Sequence, residues 1–290
     1  MPNWLTTALG IGIIAGTLPE VFFDLFHPSR RGTLSDGVGR GLFALLRRRP
    51  RMLPMAGPLT LALVIAIWVV LFACGFALIY YGGFPRNFQT STGTRPPGSP
   101  HLLSCLYFSL EVITTLGMGD ITPTAIGLRL VATAEAFIGF GLLTASVSWI
   151  VLLYPALARM RLLARGISIL VNAEEKITLR LADSESEVFL AELARDVVRT
   201  RVDLVHFPLI YYFAPADSRA SVAHQIGHAE RFAREGLEAE QPVAIRMAAA
   251  ALDSALDDLA EILARQFLGC ERDSRSSIFG RYAEAHVAAE

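Results

Sequence analysis

A short segment near the middle of the chain joins an apolar stretch to a glycine-bearing strand. Residues 101–115 are apolar but shorter than the roughly 20 residues that a membrane-crossing helix needs. They lead directly into Leu116, Gly117, Met118, Gly119 and Asp120. Non-helical backbone at membrane depth is tolerated only where it is buried in protein or lines a water-filled path. A short helix that ends in a Gly-x-Gly strand therefore predicts a re-entrant loop.

Two charge-poor stretches flank this segment and must hold it in place. The composition indicates a membrane protein, because 53% of the 290 residues are hydrophobic and only 18% are charged. Residues 58–84 contain no charged side chain, and residues 130–155 contain only Glu135. Each stretch is long enough for a transmembrane helix. Residues 4–26 form a third apolar stretch, but Pro19 and two acids interrupt it, so whether it spans stays open.

Arginines flank the two predicted spans and indicate the orientation. Because positive residues favour the cytoplasmic side, we expect a multi-pass protein of the cell (inner) membrane with a cytoplasmic C-terminus and an outer loop between the spans. Membrane lipid is the expected surrounding, and a net charge of -1 gives no indication of a nucleic-acid partner. The arginines concerned are Arg30, Arg31, Arg40, Arg47, Arg48, Arg49, Arg51, Arg159, Arg161 and Arg165.

The re-entrant segment resembles the pore helix and filter of two-transmembrane bacterial potassium channels, whose filter reads Thr-x-Gly-Tyr/Phe-Gly-Asp. The resemblance covers residues 61–153 and does not include the C-terminal part. The residues that carry it are Leu106-Tyr107-Phe108-Ser109-Leu110-Glu111-Val112-Ile113-Thr114-Thr115-Leu116-Gly117-Met118-Gly119-Asp120, then Leu128-Arg129-Leu130-Val131-Ala132 and Phe140-Gly141-Leu142-Leu143-Thr144-Ala145.

The resemblance implies passive conduction of K+ ions, without covalent chemistry or an organic cofactor. A K+ ion leaving water needs oxygen ligands on all sides, which rings of backbone carbonyl groups supply. One such segment per chain provides a quarter of each ring, so a homotetramer is implied. The implied K+-binding filter is Thr115, Leu116, Gly117, Met118 and Gly119, with the Thr115 hydroxyl as the innermost ring.

Supporting roles around the filter also follow from the resemblance. It places Glu111 beside Asp120, with Thr114 next to the filter, and two carboxyl groups at that range are expected to share a proton. The alternatives are that Glu111 faces trapped water and that Asp120 is a solvent-facing turn residue. The sequence departs from the family at Met118, where an aromatic residue is usual. Since Met is more adaptable, strict selectivity stays open.

The second span carries the candidate gate residues. An acid such as Glu135 inside the hydrocarbon region is costly, so we expect it to face the back of the pore helix, either tuning the filter or making a structural hydrogen bond. Gly139 and Gly141 would let the helix bend or allow close packing, and the family's usual hinge glycine aligns with Gly139. Thr144 and Ser148 would line the cavity or bond back within their helix.

The predicted fold is an all-α membrane protein, with a tetrameric two-transmembrane potassium-channel pore, an extra N-terminal hydrophobic helix and a helical cytoplasmic C-terminal domain. No voltage sensor is expected, since no membrane-length helix carries arginine at every third position. The predicted boundaries are 1–27 for the N-terminal helix, 28–56 for a basic or interfacial segment, 57–156 for the pore domain (transmembrane helices 58–82 and 128–156, pore helix 101–114, filter 115–120) and 157–290 for the C-terminal domain.

Local patterns predict further elements. Residues 39–49 fit a short interfacial helix or a basic linker, and residues 85–100 fit an exposed loop. In the C-terminal part, a capping box of Ser184 and Glu187 precedes a helix at 188–199, another helix starts after Asp217 or Ser218, and a third covers 243–268 and ends at Gly269. The polar composition from residue 271 onward predicts a disordered tail.

Three smaller features leave alternatives open. His224 and His228 lie four residues apart on a predicted helix and fit either half of a metal or pH site or two unremarkable surface residues. Cys74, Cys105 and Cys270 are expected to be buried or free thiols and not a disulfide or metal framework. In place of a K+-selective channel, the chain could be a weakly selective cation channel, as Met118 suggests, or a non-conducting membrane-anchored regulatory protein.

Overall fold

The computed structural model describes residues 3–26, 33–90, 101–177 and 185–286. These residues are mostly helical. The helices are α1 Asn3–Phe26, α2 Thr33–Leu46, α3 Ala56–Tyr81, α4 His101–Ile113, α5 Ile126–Ile177, α6 Glu185–His206, α7 Val222–Gly236, α8 Val243–Leu263 and α9 Arg275–His286, and two short strands are β1 Phe88–Thr90 and β2 Ile121–Pro123.

Three of the described helices are long and apolar enough to cross a membrane: Trp4–Leu25, Arg51–Tyr81 and Ile126–Glu174. The first of them is the stretch that the sequence left open. A short apolar helix, His101–Ile113, lies between the second and third in sequence. The chain is therefore a multi-pass membrane protein with a helix too short to span between its last two long ones.

The structure divides into two compact units, the first of which comprises Met1–Ser35 and Ala62–Val151. Within it, α1 contacts α3 where two glycines meet. A Cβ atom added to Gly10 would lie 2.4 Å from the carbonyl oxygen of Gly75, which is closer than real contacts allow. Small residues that let two backbones approach this closely are typical of helix pairs in membranes.

Two short strands, one before and one after the glycine-bearing segment in the chain, form an antiparallel sheet. β1 pairs with β2, with Phe88 opposite Pro123 and Thr90 opposite Ile121. The sequence predicted only a loop at 85–100, and this was wrong for residues 88–90, because strands of three residues are too short to give an alternating pattern. The rest of that predicted loop, residues 91–100, lies outside the described residues.

Helix α5 continues to Ile177, whereas the sequence placed the end of the second span at residue 156. Pro155 lies inside the helix. The prediction followed the change in polarity, but the residues after Pro155, including Ala156, Leu157 and Ala158, are good helix formers. The arginines that follow mark a change of environment along the helix and not its end.

The second unit comprises Asp36–Leu61 and Leu152–Glu290. Its core contains α6 packed on α8, with α7 packed on both α8 and α9. The predicted helix over 243–268 is confirmed as α8 followed by a π-helical turn, Ala264–Leu268, and Gly269 ends it with a φ of 64°. The helix predicted after Asp217 or Ser218 is confirmed as a 3-10 turn, Ser218–Ala220, and α7. Ser184 of the predicted capping box lies outside the described residues.

Two expectations for this unit were wrong. The predicted disordered tail contains α9, whose Ile278, Phe279 and Tyr282 are buried, because apolar residues spaced three to four apart outweigh the polar average. The basic-linker alternative for residues 39–49 also fails, since most of them belong to α2. Phe43 is buried and its ring packs against those of Tyr211, Tyr212 and His286.

Ion pairs tie the part of α5 after Leu152 to the other helices of this unit. The Nε and Nη2 atoms of Arg159 donate hydrogen bonds to Oδ2 and Oδ1 of Asp203 on α6, at 2.8 and 2.7 Å. Further along the helix, Glu174 accepts from Arg231 of α7 at 2.6 Å. A bidentate arginine–carboxylate pair fixes geometry better than a single contact. These residues therefore hold the end of α5 in a defined register on the helices that follow.

Candidate functional site

Helix α4 ends immediately before the glycine-bearing segment. Its last turn closes with hydrogen bonds from the N–H groups of Thr114, Thr115 and Leu116 to the carbonyl oxygens of Leu110, Val112 and Glu111. The Thr114 hydroxyl also bonds back, to the Leu110 carbonyl oxygen at 2.6 Å. The carbonyl end of the helix thus points its negative dipole end toward the segment, which favours a cation there.

Backbone conformation alternates along residues 115–119. Thr115, Gly117 and Gly119 have φ values of 57°, 60° and 76°, in the left-handed region that side chains disfavour. Leu116 and Met118, which lie between them, do not share this feature, and Thr115 is the one non-glycine residue with positive φ in the described part of the chain. A non-glycine residue held there is strained, and such strain is concentrated at functional sites.

The same residues are exposed in the single chain. Residues 114–119 are all classed as exposed, with Leu116 and Met118 each 66% accessible. A Cβ atom at Gly117 or Gly119 would meet nothing within 4 Å. Apolar side chains at this accessibility form an exposed apolar surface at the segment.

Glu111 is bonded to the backbone of the segment at Gly119. Its Oε1 atom accepts a hydrogen bond from the N–H of Gly119 at 2.9 Å. Its Oε2 atom and Oδ1 of Asp120 are both buried without a hydrogen-bond partner among the described residues. Nearby, the Tyr107 hydroxyl donates to the sulfur of Met118 at 3.4 Å. Buried oxygens of this kind ordinarily have a partner, so each of these two atoms can accept a further hydrogen bond.

Glu135 of α5 lies behind α4, fully buried. Its Oε2 atom accepts from the Tyr80 hydroxyl of α3 at 2.6 Å, and its Oε1 atom contacts the Ser109 hydroxyl of α4. The sequence did not single out Tyr80 or Ser109. Each of these residues is a polar side chain within an apolar stretch, but that pattern alone does not indicate that both contact Glu135.

The other inner-helix candidates are distributed differently. At Gly139 a Cβ atom would lie 2.0 Å from the carbonyl oxygen of Ile113, so α5 contacts the end of α4 with no room for a side chain. Gly141 has open space around it. The hydroxyls of Thr144 and Ser148 donate to the carbonyl oxygens of Phe140 and Thr144, at 2.9 and 3.0 Å. Both side chains are also exposed in the single chain, so back-bonding and a cavity-lining position are compatible.

His224 and His228 both lie on α7. The described residues contain no group of three or more His, Cys, Asp or Glu side chains that could hold a metal ion. The Nδ1 atom of His224 lies 2.9 Å from the Ser221 hydroxyl, and partial burial lowers the pKa of His224. The two histidines therefore gain no support as a metal site.

Comparison with known proteins places similarity in the same region. Residues 60–153 match a family described as "Ion channel". The uncharacterized membrane protein YdjJ of Bacillus subtilis is 32% identical over 159 residues, which cover 53% of this chain and 46% of that protein. Two pore potassium channel c of Oryza sativa subsp. japonica is 32% identical over 94 residues, covering 31% of this chain and 20% of that protein. The chain spans less than half the length of these relatives, and no solved structure matches it.

Proposed function

Because residues 60–153 match the ion channel family, we propose that the chain forms a homotetrameric channel that conducts K+ passively. The proposed filter is the backbone of Thr115, Leu116, Gly117, Met118 and Gly119. The relative whose name specifies potassium supports the choice of ion. The conducting part would be the pore domain at residues 57–156.

The observation that carries the proposal is the alternation of φ along residues 115–119. Thr115, Gly117 and Gly119 have positive φ and the two residues between them do not. Alternation between left- and right-handed conformations turns successive peptide groups the same way, whereas a β-strand points them to opposite sides. A run of carbonyl groups on one side of an extended segment is what a ring-forming filter requires.

The exposed surface of the single chain supports assembly. Leu116 and Met118 are largely accessible, and one side of α5 carries further exposed apolar residues. In a tetramer these surfaces would pack against neighbouring copies, and close van der Waals packing between helices would stabilise the association within the membrane. The exposed residues of α5 are Phe137, Phe140, Leu143, Val147 and Val151.

The proposed arrangement places the protein in the cell (inner) membrane with three spans. Arginines at both ends of the α3–α5 region put the C-terminal helices in the cytoplasm, and α1 as a third span puts the N-terminus outside. The C-terminal helices would then stabilise the tetramer or transmit a signal to α5. The ion pairs Arg159–Asp203 and Arg231–Glu174 provide a mechanical connection for either role.

Met118 favours a second candidate, a weakly selective cation channel. Its sulfur accepts a hydrogen bond from the Tyr107 hydroxyl at 3.4 Å, whereas an aromatic ring is usual at this position. A thioether is more adaptable than a ring, so it holds the diameter of the filter less firmly. Strict exclusion of Na+ therefore depends more heavily on Glu111 and on contacts between subunits.

Ion flux through purified protein in liposomes tests the proposal. Uptake of K+, Rb+ and Na+ is compared with that of protein-free liposomes. Uptake of K+ and Rb+ without Na+ supports the K+-selective channel, and equal uptake of all three supports the weakly selective one. Absence of uptake above that of empty liposomes would contradict both and favour a non-conducting, membrane-anchored regulatory protein.

A further inference from the structure

One buried carboxyl group joins three helices of the first unit. Glu135 projects from α5 and is fully buried. It contacts the Tyr80 hydroxyl of α3 and the Ser109 hydroxyl of α4. Ser109 also lies 2.9 Å from the carbonyl oxygen of Ala73 on α3, and both Tyr80 and Ser109 are themselves buried. A buried polar network of this kind is stable only if each contact contains a hydrogen.

Counting hydrogens assigns the donors in this network. The Ser109 hydroxyl has a single hydrogen, and the Ala73 carbonyl has none to give. If Glu135 were ionised, Ser109 could donate to Glu135 or to Ala73 but not to both, leaving one close oxygen–oxygen contact without a hydrogen. If Glu135 keeps its proton, it donates to Ser109, Ser109 donates to Ala73, and Tyr80 donates to the other carboxyl oxygen at 2.6 Å.

We propose that Glu135 is a neutral carboxylic acid that acts as a positioning residue for the filter, locking α5 to α4 through a hydrogen bond that it donates to Ser109. The proposal rests on the proposed channel function. The geometry extends to the filter, since Ser109 lies two residues before Glu111, whose carboxylate accepts from the Gly119 N–H at 2.9 Å. Movement of α5 would therefore reach the filter through the rigid turn of α4 between these side chains.

A second contact, at Gly139, also joins α5 to α4. One turn after Glu135, Gly139 packs so closely on the end of α4 that a Cβ atom would lie 2.0 Å from the Ile113 carbonyl oxygen. The hydrogen bond from Glu135 and the backbone contact at Gly139 thus hold α4 at two points along α5. Without the hydrogen bond, α4 would be held at one point and could rotate about it, which changes where Glu111 holds Gly119.

The two protonation states predict opposite results for Glu135→Gln. A glutamine amide has the shape of the neutral acid, with an N–H that donates to Ser109 and an oxygen that accepts from Tyr80. It cannot replace an ionised carboxylate that accepts at both oxygens. We therefore expect Glu135→Gln to keep the wild-type Rb+-to-Na+ flux ratio within about twofold, and Glu135→Ala and Ser109→Ala to lower it about fivefold, which corresponds to about 1 kcal/mol.

The experiment measures Rb+ and Na+ flux in liposomes for these variants and for Thr133→Ala. Thr133 is an exposed residue on the same helix, and its hydroxyl donates to the Arg129 carbonyl oxygen at 3.0 Å, so this control should leave the ratio unchanged. Melting temperatures in detergent are recorded for every variant. A changed ratio at an unchanged melting temperature distinguishes positioning from general destabilisation, and if Glu135→Ala does not fold, Ser109→Ala and Glu135→Gln decide.

Each outcome has one meaning. Wild-type protein without selective flux refutes the proposed function, whatever the variants do. Selective wild-type protein with Ser109→Ala and Glu135→Ala at the wild-type ratio overturns the positioning role. A Glu135→Gln variant as impaired as Glu135→Ala overturns the neutral acid, because the charge would then be needed.

Discussion

The Oε1 atom of Glu111 accepts a hydrogen bond from the backbone N–H of Gly119 at 2.9 Å. Glu111→Ala removes the acceptor and leaves this N–H without its anchor, a loss of about 1 kcal/mol or more. We expect the Rb+-to-Na+ flux ratio to fall about fivefold, as the outer end of the filter loosens. Glu111→Gln retains an acceptor oxygen and should preserve most of the ratio. Equal ratios for wild type and Glu111→Ala would show that this contact does not hold the filter.

Gly119 has a φ of 76°, where a side chain is strained. Gly119→Ala should abolish K+ and Rb+ flux while the tetramer still assembles. A Cβ atom at this position meets nothing within 4 Å of its own chain, so the substitution acts only by straining the backbone conformation. Ion flux into liposomes measures the loss of conduction. Size-exclusion chromatography with light scattering measures whether the tetramer still forms. Gly127→Ala is the control, since Gly127 also has open space but no strained φ. Undiminished flux through Gly119→Ala would refute the placement of the filter.

Gly10 of α1 packs against the backbone of Gly75 on α3. A Cβ atom added to Gly10 would lie 2.4 Å from the Gly75 carbonyl oxygen. Gly10→Ala must push the helices apart, and overpacking of this kind costs about 1–3 kcal/mol. We expect a melting temperature several degrees lower in detergent. Gly12→Ala on the same helix meets nothing within 4 Å and should not lower it. If both variants melt alike, α1 does not pack on α3 at this point.

His286 of α9 is buried, with Nδ1 3.0 Å from the Tyr282 carbonyl oxygen and Nε2 2.8 Å from that of Tyr211. Burial lowers the pKa of His286 although both carbonyl groups act to raise it. Below the ordinary histidine pKa of about 6.5, the unfolded chain therefore binds more protons than the folded one. The contribution of His286 to the free energy of unfolding should be complete above that pH. It should decrease as the pH falls through about 6.5 toward the lowered pKa.

Thermal unfolding of the full chain in detergent, followed by circular dichroism between about pH 7.5 and pH 5, measures this effect. The contribution of one histidine is on the order of 1 kcal/mol. His286→Gln should flatten the decline at acidic pH, whereas His206→Gln, at an exposed ring, should leave it unchanged. A decline that is as steep in His286→Gln as in the wild type would assign the pH dependence to other groups.

Much of the membrane part could be predicted because hydropathy reports burial in lipid directly. Residues 58–84 lack charge altogether, and α3 covers most of them. The Gly117-Met118-Gly119 string could be recognised because the required backbone conformation restricts the residue type. The end of α5 could not be found in this way, since hydropathy changes near Arg159 while helix propensity does not.

Contacts between side chains that are distant in the sequence were harder to predict than the helices themselves. Glu135 was expected to face the pore helix, but nothing in the spacing of Tyr80, Ser109 and Glu135 shows that three distant positions converge on one carboxyl group. The same holds for Phe43, which the sequence assigned to an interfacial helix or linker and the structure packs on Tyr211 and His286. Such contacts depend on tertiary packing, which local patterns do not encode.

The reversal potential of single channels in a planar bilayer measures directly whether the channel selects K+ over Na+. With K+ as the cation on one side and Na+ at equal concentration on the other, a filter of backbone carbonyl groups from four chains should pass K+ almost alone. We expect a reversal potential displaced far from zero in the direction of K+ selectivity. A reversal potential near zero, or the absence of channel current from correctly assembled protein, would contradict it.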